Sequence, residues 1–75
     1  MPTERVRNPW GIILHHQDDR ILELRWLPST ATMTIAGFKA TLALFAHEAE
    51  HVRPSFLMID ALQFHHAFSV DFVQW

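Results

Sequence analysis

Apolar positions recur through residues 34–53, TIAGFKATLALFAHEAEHVR, at the spacing of one helical face. At about 100° per residue, Leu42, Phe45, Ala49 and Val52 fall within roughly 40° of Phe38. Ile35 sits at the edge of that stripe, and His47 and His51 fall on the opposite side. The pattern predicts an amphipathic helix with a Phe/Leu/Phe core face. Thr34 is the expected N-cap, with Thr32 as the alternative. Pro54 ends the helix, because the residue before a proline is biased out of the helical region.

Upstream, the period shortens to two. Residues 10–16, WGIILHH, read as a strand with Ile12 and Leu14 on one face and Ile13 and His15 on the other. Residues 21–26, ILELRW, alternate strictly, with Leu22, Leu24 and Trp26 opposed to Ile21, Glu23 and Arg25. Such alternation suits a strand with one packed face and one wetter face. The polar break Gln17-Asp18-Asp19-Arg20 joins the two as an antiparallel hairpin. Residues 1–9, with two prolines and mixed charge, read as a loose lead-in, and residues 27–33 as a loop.

Residues 55–60, SFLMID, are almost wholly apolar, the pattern of a strand covered on both faces. Strand, helix and strand with short links predict a right-handed crossover, so this third strand should lie parallel to the second. Residues 61–68 form a loop rich in His and Phe, after which Ser69 caps a second helix favoured by Asp71 in its first turn. The expected fold class is therefore α/β, a ββαβα arrangement of β-hairpin, crossover helix, parallel third strand and the start of a second helix. One domain spans residues 1–75, and its close on Trp75 without a C-cap reads as a domain cut in mid-element.

A chain of 75 residues makes one small domain whose buried fraction is marginal for standing alone. The absence of cysteine removes disulfides and thiolate metal sites. A hydrophobic fraction of 49% argues against disorder. The net charge is −2, and the six Lys and Arg residues form no block, so no nucleic-acid footprint is visible. No signal-peptide pattern opens the chain, and no apolar run approaches the roughly 18 residues of a membrane span. A cytoplasmic protein is the expectation.

The order of hairpin, long helix, apolar strand ending in Asp, loop and Ser-capped helix with Trp resembles a bacterial family of small STAS-like proteins, also described as anti-sigma-factor-antagonist-like. The resemblance is carried by Trp26-Leu27-Pro28, Met33-Thr34, Phe38-Lys39, Arg53-Pro54, Asp60, Phe64 and Trp75. It runs along nearly the whole chain and covers about the first half of such a domain. It implies an α/β layer of successive parallel β-α units with an antiparallel first strand, in a partial STAS-like domain. It also implies a regulatory binding module, switched in some relatives by serine phosphorylation at the start of the helix after the third strand. Ser69 alone falls on that position. The segment reads His65-His66-Ala67-Phe68-Ser69, where the switch of such relatives has Asp-Ser-Ser-Gly.

The chemistry-bearing residues form three groups. HEAEH, His47 to His51, matches the zincin pattern: two imidazoles four residues apart on a helix reach one Zn²⁺, and Glu48 would activate its water. With six histidines in the chain a chance match is expected in roughly a few per cent of such sequences, which makes the signal weak, and a protease needs a third ligand and a cleft. A solvated helix face is the simpler reading, and no cofactor is expected. His15 and His16, as strand neighbours, point to opposite faces and cannot chelate together. His65-His66 follow the third strand, where open parallel sheets place ligands. Asp60 ends that strand without a paired carboxylate, and accepting backbone N–H groups in the following turn suits it better than acid/base work.

Asp60, Phe64, His65, His66 and Ser69 are thus the candidate binding residues. The leading expectation is a non-enzymatic regulatory or protein-interaction module with a protein partner. It should also be a homo-oligomer, because the third strand has an apolar edge. The alternative is a small-ligand or lipid-binding domain using the apolar ground between the third strand and the second helix. A zinc-dependent hydrolase built on HEAEH is the third.

Overall fold

The strict alternation of ILELRW becomes the inner strand of a four-stranded sheet in the computed structural model, which describes residues 2–66. In chain order the strands are β1 (Thr3–Arg7), β2 (Gly11–His16), β3 (Ile21–Trp26) and β4 (Phe56–Asp60), with the helix α1 (Ile35–Val52) between β3 and β4. Their spatial order is also β1-β2-β3-β4. The pairs β1/β2 and β2/β3 are antiparallel, and β4 returns parallel to β3, with Leu22 opposite Leu57 and Leu24 opposite Ile59. The hairpin, the long helix and the parallel return strand stand where periodicity puts them. The second helix expected after Ser69 lies outside the described residues.

Three expectations are corrected. The supposed lead-in holds β1, an edge strand with Val6 as its single apolar side chain and a bulge between Glu4 and Val6. The supposed loop after β3 contains a short 3₁₀ helix, Pro28–Thr32, in which proline's fixed φ suits the first turn. Thirdly, β4 is not covered on its two faces: Phe56, Leu57, Met58 and Ile59 are all exposed.

Packing follows the two stripes read from the sequence. Leu22, Leu24 and Trp26 of β3 and Ile13 of β2 form one buried cluster with Met33 and Phe45. Phe38, Leu42, Ala49 and Val52 flank it from α1, as do Val6, Trp10 and Phe64 from the rest of the chain. Trp26 and Phe38 lie nearly parallel with ring centroids 5.7 Å apart.

The helix ends are set locally. The Thr34 side-chain oxygen accepts the Gly37 amide at 2.9 Å, satisfying one of the helix's orphan donors. At the other end Arg53 adopts the left-handed region with φ 53°, its amide donating to the Ala49 carbonyl at 2.9 Å, and Pro54 prevents continuation.

The β1–β2 connection is locked onto α1. The Asn8 side-chain oxygen accepts the amides of Trp10 and Gly11, each at 2.9 Å. Its amide group donates to the Thr41 hydroxyl at 2.9 Å, and that hydroxyl donates to the Gly37 carbonyl at 2.7 Å. Trp10 then lies so close to α1 that a Cβ at Gly37 would come within 2.5 Å of Trp10 Nε1.

Truncating Phe45 to Ala should cost about 3–5 kcal/mol, because the ring is buried at the centre of the cluster. Chemical denaturation reads this loss, and an unchanged midpoint would contradict the packing. Gly37→Ala sets a helix-propensity gain of about 1 kcal/mol against an overpacking cost of about 1–3 kcal/mol. Net destabilisation is expected in the natural chain, turning to stabilisation in a Trp10→Ala background where the ring is gone. The same sign in both backgrounds would show that the close approach to Trp10 is not what matters.

Candidate functional site

Two of the candidate binding residues, His65 and His66, converge on Thr30, a residue the sequence does not single out. Thr30, in the 3₁₀ helix, is fully buried. Its hydroxyl donates to the Leu27 carbonyl at 2.8 Å, with the Gln63 carbonyl at 3.3 Å, and accepts the His65 amide at 2.9 Å. Its carbonyl lies 3.2 Å from His66 Nδ1. Phe64 packs edge-on against Trp26 with centroids 5.0 Å apart, and against Phe38 at 6.4 Å. The 64–66 segment is therefore stitched to the core, with His65 exposed and His66 half-buried. A buried threonine in a loop is invisible to periodicity, which is why Thr30 escaped notice.

Asp60 lies apart from that hub. Its carboxylate accepts the Leu62 amide at 3.1 Å, forming the local turn read from its position at the strand end. The other oxygen lies 3.6 Å from Arg25 Nε. Arg25 in turn donates to Glu23 at 2.9 Å, and His16 Nε2 pairs with the same carboxylate at 2.6 Å. This chain of charged groups runs across the sheet face opposite α1, where the sequence predicts the wetter side. Glu23 is nevertheless only 1% exposed. A carboxylate so placed needs its charge-assisted partners, and it has them on two strands. His15 and His16 point to opposite faces, as expected, and it is His16 that meets Glu23.

In HEAEH, the imidazoles of His47 and His51 are exposed and stacked with centroids 5.8 Å apart, one turn apart on α1. Between them Glu48 does not face solvent with the histidines. Its carboxylate accepts Arg5 Nε at 2.9 Å, across from the bulge in β1. Among the described residues no group of three His, Asp or Glu side chains is arranged to hold a metal ion. Ser69 lies outside those residues.

The remaining features are remote from these groups. A polar hollow of about 160 Å³ opens at the hairpin end, lined by Pro2, His16, Gln17, Asp18 and Asp19. On β1, the hydrogen bond from Arg7 to Glu4 at 2.7 Å holds the Glu4 carboxyl below its ordinary pKa and Arg7 above its own. Both groups are fully exposed, and they serve the surface of the edge strand. No described helix is long and apolar enough to cross a membrane.

The largest departure from the sequence reading is β4 itself. Its four consecutive apolar side chains are between 41% and 64% exposed, and Leu62 just beyond is 85% exposed. They lie alternately on the two faces of the sheet, Leu57 and Ile59 on the α1 side and Phe56 and Met58 on the other. No family model, curated protein or solved structure matches the chain.

Replacing Thr30 by Val keeps the shape and removes the hydroxyl, leaving the buried His65 amide connection unmade. The expected cost is about 1–3 kcal/mol, with faster hydrogen exchange at the amide of His65. Unaltered exchange there would show that Thr30 does not anchor the segment.

Proposed function

We propose that this chain is a non-enzymatic protein-interaction module, of the STAS-like kind its sequence resembles, and that β4 is its contact surface. The observation that carries the reading is the exposure of Phe56, Leu57, Met58 and Ile59 together, on both faces of the strand that ends the sheet among the described residues. An edge strand offers a row of backbone donors and acceptors to an incoming strand, and flanking apolar side chains supply the burial that makes the contact stable. The clustered candidate residues Phe64, His65 and His66 support the same reading in another way. Their polar atoms and ring faces are engaged with Thr30, Trp26 and Phe38, so they serve to hold the segment after β4 in place.

A photo-crosslinking amino acid at Leu57 should trap a protein adduct in cells, whereas the same group at Asp18, on the exposed hairpin turn, should trap none. The adduct's mass tells a second copy of the chain from a different protein. Absence of any adduct at Leu57, with the variant folded, overturns β4 as the contact surface.

A further inference from the structure

Resting on that reading of β4, we infer that its partner is a second copy of this chain, joined antiparallel along β4 about a two-fold axis at Met58. The backbone fixes which groups are available. The Phe56 amide donates to the Arg20 carbonyl of the neighbouring chain segment at 3.1 Å, so Phe56 turns its backbone groups toward β3. Backbone direction alternates along a strand, so Leu57 and Ile59 turn theirs toward the open edge.

Symmetry then restricts the register. A two-fold axis relating antiparallel strands stands normal to the sheet and preserves its faces, so opposed residues must belong to the same face. Placing Met58 opposite Met58 of the second copy sets Leu57 against the partner's Ile59, and Phe56 against the partner's Asp60. All the edge-directed backbone groups of Leu57 and Ile59 are then paired, and Leu57 meets Ile59 twice. Centring on Leu57 instead would oppose Ile59 to Ser55. Centring on Ile59 would oppose Leu57 to Ala61, beyond the strand, and bring the two Asp60 carboxylates closer. With Met58 at the centre those carboxylates stand at opposite ends, each 3.6 Å from its own Arg25.

The charged groups agree with this arrangement. Edge-to-edge pairing covers the outer flanks of the β4 side chains, which are 41% to 64% exposed in the single chain. On the face opposite α1, Ile12 and Leu14 are already buried within their own chain, and Glu23 and Arg25 stand beside Met58 and Asp60. That polar row makes a rim on each side of the central Phe56 and Met58 side chains. The joined sheet would have eight strands, with both helices on one face.

The chain has no cysteine, so one introduced thiol reports on one position. Met58 residues opposed across an axis form a non-hydrogen-bonded pair with Cα atoms about 4.5 Å apart, within disulfide reach. Met58→Cys should therefore oxidise to a covalent dimer at least about tenfold faster than Phe56→Cys, whose mate lies about 14 Å away along the strand. The unmodified chain should sediment as a dimer at tens of micromolar, and Met58→Arg, which opposes two like charges, should be a folded monomer. A dimer in which Phe56→Cys links as fast as Met58→Cys overturns the proposed pairing. A monomer at about 100 µM overturns self-association itself, being well above the tens of micromolar at which the dimer is expected. In that case a Leu57 adduct with a different protein leaves β4 as the contact surface, and no adduct removes that reading as well.

Discussion

The one α-helix among the described residues cannot cover four strands, and much of this structure follows from that mismatch. A helix with its side chains is about 10 Å across, whereas four strands span roughly 15–19 Å. With its Phe38, Leu42, Phe45 and Ala49 stripe, α1 packs over Ile13, Leu22, Leu24 and Trp26, with Val6 of β1 partly buried against the same cluster and the β4 side chains left exposed. The two edges meet this limit differently. On β1, one apolar residue is set among Thr3, Glu4, Arg5 and Arg7, and a bulge interrupts the ladder. These are the devices by which natural edges avoid pairing. On β4 there are none until Asp60. The asymmetry makes β4 the place where another chain would be accommodated.

The face opposite α1 carries no second layer among the described residues. Ile12 and Leu14 are buried there although no described helix covers them. Polar and charged side chains pair across that face. Glu23 is the central member, held by His16 from β2 and Arg25 from β3, with Asp60 of β4 beside Arg25. The polar chain therefore touches three strands and is consistent with a single β3–β4 register. A slip by one residue would turn Asp60 away from Arg25 and set Leu57 among charges.

Periodicity made the β2–β3 hairpin, the helix with its Thr34 cap and Arg53 stop, and the parallel return of β4 legible in the sequence. These elements carry their signals in their own residues. Other features depend on partners distant in sequence. Nothing in TERVR marks a strand, and β1 exists because β2 pairs with it. Thr30 looks like any polar loop residue until the 61–66 segment returns to it. The apolar run of β4 was read as a strand covered on both faces, but composition records what a strand tolerates and not whether a neighbour is there. Sequence also placed Phe64, His65 and His66 just after β4, yet gave no sign of what they would bond to.

HEAEH illustrates the same limit in its sharpest form. A helix guarantees that histidines four residues apart come together, so the 5.8 Å stacking of His47 and His51 follows from helix geometry alone. Everything else a zinc centre needs must arrive from other elements, and those elements are not encoded in the five letters. What arrives beside Glu48 is Arg5, presented by the bulge in an edge strand that periodicity did not reveal. A guanidinium at 2.9 Å draws the carboxylate toward the sheet and takes up one of its two oxygens, away from the exposed histidines. The pairing ties α1 to β1 beside the partly buried Val6. That gives Glu48 a role in holding the fold and supports reading the two histidines as a solvated face of the helix.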